Sequence, residues 1–154
     1  MKRYMLRKKE TKVIIKQLKE TTGIEIKGEM ERVEFNDEVV ILVDGEPIIL
    51  EYEGKYYFTV YGLLKFRPER GKIVVDKGAM PHIINGADVM KPGIIYADES
   101  IKKGEFVYVV VEEKETPLAI GIALVDGKEM KNGKGKAVKN IHHLKDKIWK
   151  YFFK

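Results

Sequence analysis

Three glycines and two prolines fall within nineteen residues, Gly78 to Tyr96, and all five lie in the run VDKGAMPHIINGADVMKPGII that spans Val75 to Ile95. Glycine supplies positive φ and close approach, and proline fixes φ and removes a donor, so this stretch prescribes a backbone path. It predicts a strand over 72–75 that ends at Asp76-Lys77-Gly78, then a short helix from Ala79 to about Ile84 closed by Asn85-Gly86. Met90-Lys91-Pro92-Gly93 should turn the chain into a second strand at Ile94-Ile95-Tyr96. The helix start offers unpaired N–H groups that suit an anion such as phosphate, and suit Asp76 as a cap equally well.

Around this stretch the chain reads as two kinds of unit. Residues 8–22, KKETKVIIKQLKETT, predict an amphipathic helix stopped at Gly23, with Ile14, Ile15 and Leu18 toward a core. Lys9, Lys12, Lys16 and Lys19 fall in one narrow arc of it at about 100° per residue. Strands follow: Val33 and Phe35 alternate with polar residues, and Val39 to Val43 is continuously apolar. Asp44-Gly45 and Glu53-Gly54 are hairpin turns, the second leading into a strand over Lys55 to Tyr61. The aromatics Tyr56, Tyr57, Phe58 and Tyr61 fit a base-stacking platform or, the reading we favour, a small packed core. Phe66-Arg67-Pro68-Glu69-Arg70-Gly71 has the composition of a boundary. Beyond the central stretch, Phe106 to Val111, Leu118 to Val125 and Lys134 to His142 read as strands, with Gly121 marking a bulge or close approach. Short strands separated by glycine turns suggest a small barrel.

The net charge of +5 is unevenly spread. Residues 1–27 hold nine Lys/Arg against three acids, residues 128–154 nine against two, and the middle eleven against nineteen. Basic ends of this kind suit a polyanion, whose bound counterions are released when Lys and Arg replace them. They also serve as solvated faces, which is the plainer reading of the lysine stripe on the first helix.

Catalytic patterns are absent. No HExxH, GxSxG or GxxxxGK[ST] occurs, and Gly133-Lys134-Gly135-Lys136 lacks phosphate-loop spacing. There is no cysteine, which excludes disulfides and thiolate chemistry. His82, His142 and His143 show no metal-ligand spacing with the nearby aspartates, and His142 and His143 should point opposite ways on a strand. We therefore expect no enzyme, no metal and no cofactor. No apolar run approaches a membrane span, so a soluble, cytoplasmic protein is expected.

The run VDKGAM…NGADVMKPGI resembles the signature of the PUA domain, the RNA-binding module named after pseudouridine synthases and archaeosine transglycosylases. The C-terminal run GKAVKNIHHLKDKIW, Gly135 to Trp149, is similar to the closing strand and turn of the branch found in the translation factors ligatin and the malignant T-cell-amplified protein. The resemblance implies an α+β chain: a small N-terminal helix-plus-antiparallel-sheet pre-PUA module over residues 1–71, then a PUA pseudo-β-barrel over 72–154. It also implies where RNA is held. The segment after the first strand supplies Lys77, Gly78, Ala79 and Met80, then Asn85, Gly86 and Ala87, then Lys91, Pro92 and Gly93. The closing strand supplies Lys134, Lys136, Lys139, Asn140 and His142. On this view the lysines neutralise phosphate, while Asn85, Asn140 and His142 contact base edges or 2′-hydroxyls. Backbone geometry alone is an equal account of Gly86, Pro92 and Gly93.

The function expected is a non-enzymatic RNA-binding protein of the translation apparatus. It would bind small-subunit rRNA or tRNA, through the PUA face and through Lys9, Lys12, Lys16 and Lys19 of the basic N-terminal helix, during initiation, reinitiation or recycling, with a translation-factor protein as a further possible partner. Two alternatives stand beside it. One is a stand-alone subunit presenting tRNA or rRNA to a modification enzyme. The other is a protein–protein adaptor whose lysines merely solubilise it.

Overall fold

In the computed structural model, which describes residues 1–153, strand β1 (Lys2–Met5) leads into helix α1 (Lys8–Thr22). The Glu10 carboxylate accepts the Arg7 N–H at 3.1 Å to begin α1, and Gly23, at φ 78, ends it by donating its N–H to the Lys19 carbonyl. Ile14 and Leu18 are buried, Ile15 is half-buried, and Lys9, Lys12, Lys16 and Lys19 are all exposed. The helix belongs to a unit spanning Met1–Pro68. There β2 (Met30–Phe35), β3 (Glu38–Val43), β4 (Glu46–Tyr52) and β5 (Lys55–Phe58) extend β1 as an antiparallel sheet in sequence order. Asp44 and Gly45, both at positive φ, make the β3–β4 turn that such a pair favours. Val40 to Val43 and Ile48 to Leu50 are all buried, so β3 and β4 are covered on both faces. That is why they read as unbroken apolar runs.

One strand is shorter than its sequence predicts. β5 stops at Phe58, and residues 60–65 form helix α2 (Val60–Lys65). The Thr59 hydroxyl accepts the Gly62 N–H at 2.9 Å and donates to the Pro47 carbonyl at 2.6 Å, capping the helix and pinning it to β4. A side chain at Gly62 would collide with the Ile48 carbonyl. The β-forming Val60 and Tyr61 are overruled by this cap and close approach. Tyr57 and Phe58 are buried, and Phe58 stacks on Phe66 at 5.6 Å between centroids, so these aromatics form core.

The second unit begins at Glu69. Its strands are β6 (Lys72–Val75), β7 (Val89–Met90), β8 (Ile94–Ala97), β9 (Phe106–Val111), β10 (Pro117–Ala123) and β11 (Lys136–His143), and its helices α3 (Met80–Ile84) and α4 (Lys147–Phe152). They form one mixed sheet in the order β7-β11-β10-β9-β6-β8, its two edge strands joined by the turn Lys91–Gly93, which gives a nearly closed pseudo-barrel. All its pairings are antiparallel except β6 with β9. Ile73, Val107, Val109, Ala137 and Val138 are wholly enclosed, each larger one contributing about 1.5–3 kcal/mol by leaving water. Register slips where Ile120 pairs with His142 but Gly121 with Asn140, leaving Ile141 bulged. β11 begins at Lys136, and Lys134 lies in the exposed turn before it. Among the described residues no helix is long and apolar enough to cross a membrane.

Candidate nucleic-acid interface

The glycine- and proline-rich stretch folds around an open cleft of about 420 Å³ within the second unit. Ala79, His82 and Ile83 of α3 and its cap line it, with Ala87 to Met90, Pro92, Gly93 and Asp76. Its walls are mainly apolar, and its ionisable groups are Asp76, His82 and Asp88. Four of the residues implied by the resemblance, Ala79, Ala87, Pro92 and Gly93, thus meet in one place.

Main-chain bonds set the path. The Asp76 N–H donates to the Gly93 carbonyl at 2.9 Å, closing the stretch on itself. A Cβ at Gly93 would lie 3.2 Å from the Ala79 Cβ, so glycine there lets the Lys91–Gly93 turn approach α3. Gly86 sits at φ 97, a conformation that penalises any side chain. Asp76 Oδ1 accepts the Ala79 N–H at 2.9 Å. This bond closes the turn that leads into α3, whose own N-cap, Ala79, makes no side-chain cap bond.

The closing strand holds the far side. The Asn140 amide donates to the Ile83 carbonyl at 3.1 Å and the Ala87 carbonyl at 3.0 Å, while its N–H donates to Asp88 Oδ1 at 2.9 Å. Asp88 Oδ2 pairs with the Lys136 ammonium at 3.0 Å. Burial pushes the Asp88 carboxyl up, but the Asn140 N–H and the Lys136 and Lys139 charges together hold it below the usual range. The Lys91 N–H donates to the Gly135 carbonyl at 2.9 Å, which brings Lys91 to the turn carrying Lys134 and to Lys136 at the start of β11.

Lys77, Gly78, Asn85, Gly86, Ala87, Pro92, Lys134, Lys136 and Lys139 are exposed, and Ala79 and Lys91 are half-buried. Met80 packs against the barrel core. Two expectations need correction. His142 is 1% exposed, with Nδ1 2.7 Å from Asp146 Oδ2, so its ring reaches no base edge. The Asn140 amide nitrogen is spent on main-chain carbonyls and its Oδ1 is buried, so it shapes the cleft without facing it. Asp146 also accepts the His143 and Trp149 N–H groups at 3.0 and 2.9 Å, capping α4. Burial raises its carboxyl, and His142 with those two donors brings it below the ordinary range. His143 turns the other way, its Nε2 3.3 Å from where a Cβ on Gly86 would sit.

His82 and Ile83 are cleft residues that the resemblance did not supply. They lie three and four positions after Ala79, the spacing that shares one helix face, so that periodicity would have found them. Among the described residues no group of three or more His, Asp or Glu is placed to hold a metal. What the site offers is a mainly apolar open cleft, with lysines on the adjoining turns and strand.

A nearly closed six-stranded barrel with this cleft after its first strand defines a PUA domain, and the PUA-domain model matches residues 71–144. Residues 2–66 match a domain of unknown function, DUF1947. An uncharacterized protein of Methanocaldococcus jannaschii is 47% identical over 97% of this chain and 96% of its own length. The crystal structure of a hypothetical protein from Pyrococcus horikoshii is similar at a TM-score of 0.88 and 44% identity, covering 97% of this chain and 99% of that one. Translation machinery-associated protein 20 of Schizosaccharomyces pombe is 38% identical over 51% of this chain and 46% of that protein. The chain belongs to the PUA-domain proteins in which a DUF1947 module precedes the PUA domain, and it is similar to malignant T-cell-amplified sequence 1 of Rattus norvegicus at 29% identity over 71% of this chain and 63% of that protein.

Proposed function

We infer that this protein is a non-catalytic RNA-binding factor of the translation apparatus. Its PUA cleft takes an unstacked base of small-subunit rRNA or tRNA, and the lysines around it hold the flanking phosphates. One observation carries the reading: Ala79, Ala87, Pro92 and Gly93 wall a single cleft whose chain neighbours and ion-pair partners include Lys77, Lys91 and Lys136. Single-stranded RNA is recognised this way, by burying a base face and neutralising the backbone beside it. The translation-associated relatives support the setting. The lysines of α1, exposed on the first unit, are a second source of phosphate contacts in this reading.

Co-sedimentation with purified small ribosomal subunits, repeated with tRNA competitor and at rising salt, tests it. Stoichiometric binding that survives moderate salt and ignores tRNA establishes a ribosomal factor. Displacement by tRNA shifts the target to tRNA. No binding to either overturns the reading.

A further inference from the structure

The turn between β9 and β10 carries Glu112, Glu113 and Glu115, and all three carboxylates are engaged. Glu112 Oε2 accepts the Lys77 main-chain N–H at 2.8 Å, and Glu113 meets the Lys77 ammonium at 2.7 Å. Glu115 pairs with Lys72 at 3.0 Å. Glu113 and Glu115 hold left-handed backbone, φ 74 and 53, a region disfavoured for residues with a Cβ. Lys77 immediately follows Asp76, which lines the cleft. The turn therefore presents one carboxylate to the amide and another to the ammonium of a single lysine at the cleft's edge. An incoming phosphodiester would seek those same two donors.

We propose that the turn Glu112–Glu115 is a resident competitor for RNA phosphate at Lys77, so that RNA entering the cleft displaces Glu113 and wins only where its other contacts outweigh it. This rests on the RNA-binding reading above. The ion pair suits an exchangeable guard: its side chains are 61% and 65% exposed, and pairs in water are weak enough to swap partners. The main-chain bond from Lys77 to Glu112 keeps the turn in place when the ammonium changes partner. The effect is selective. A ligand that fills the cleft and carries phosphates recovers the cost, whereas a polyanion offering charge alone does not.

The test is a double-mutant cycle on the full chain, read by fluorescence anisotropy with a short unstructured RNA of mixed sequence. Glu113→Gln should tighten binding about two- to fivefold at low salt, the worth of one exposed pair. In a Lys77→Met background the same substitution should give no gain. Glu99→Gln, beyond the opposite end of β6, is the control for net charge. An equal gain in both backgrounds, or from Glu99→Gln, overturns the proposal and leaves generic electrostatics. RNA binding by the wild-type chain without any gain in Glu113→Gln also overturns it, while sparing the reading beneath. Absence of RNA binding in wild type and variant alike overturns both.

Discussion

Asn140 holds Ala87 in place: its side-chain amide donates to the Ala87 carbonyl at 3.0 Å across a separation of 53 residues. With the bond to Ile83, one side chain from the closing strand ties the last turn of α3 to the far end of the Asn85-Gly86-Ala87 loop. Asn140→Ala leaves two carbonyls without these donors and should cost about 1–3 kcal/mol. Asn140→Asp cannot donate and should behave likewise. Urea denaturation checks the loss. RNA affinity measured well below the transition should fall for both variants, through displacement of the loop.

Acid should loosen the second unit through Asp146. Its carboxyl is held below the ordinary range when folded, so its contribution is present above the unfolded value of about 4 and is lost as pH falls through the folded value. Asp146→Asn should cost about 1–3 kcal/mol at pH 7, where the carboxylate holds His142 and caps α4. The variant should also show a shallower fall in stability below pH 4 than wild type. A pH series of denaturation midpoints measures both effects, and parallel curves would deny Asp146 this role.

Gly93 tests the cleft itself. Gly93→Val places branched carbon against Ala79, where even a Cβ comes within 3.2 Å. The Lys91–Gly93 turn must move away from α3 or into the cleft, and RNA affinity should fall about tenfold for about 1–3 kcal/mol of overpacking. Anisotropy and thermal unfolding on the same samples separate the two effects.

Much of the fold is legible in the sequence because the chain announces its turns. Gly23, Asp44-Gly45 and the path from Asp76 to Tyr96 are local decisions made by glycine, proline and capping residues. Thr59 does not read as a cap because Val60 and Tyr61 favour strand, and the cap works only once β4 supplies the Pro47 and Ile48 carbonyls. The resemblance implies His142 as an RNA contact, and strand alternation, which shows that His142 and His143 diverge, does not show which one turns inward. That choice depends on Asp146, four residues on, and on the bulge at Ile141. The guard on Lys77 lies 35 residues away in sequence, beyond any local pattern.

The lysine stripe of α1 separates its two readings by salt dependence. If Lys12 and Lys16 each meet a phosphate, Lys12→Gln with Lys16→Gln should flatten the log–log salt slope of RNA binding by about 0.7 for each single-strand phosphate they no longer neutralise. Lys103→Gln, in the turn before β9, should leave the slope unchanged. An unaltered slope in the double variant would make the stripe a solvated face.

The parallel pairing of β6 with β9 has a consequence of its own. Parallel neighbours finish at the same end of a sheet, so whatever follows Val75 must face whatever follows Val111. The apposition of Lys77 with Glu112 and Glu113 is therefore dictated by topology, and chemistry enters only through the side chains carried there. A mutation in the β9–β10 turn can retune the charge at the mouth of the cleft while its walls, its core and its partner strands stay as they are. Affinity and architecture can thus drift independently in this fold, the first at residues 112–115 and the second in the barrel.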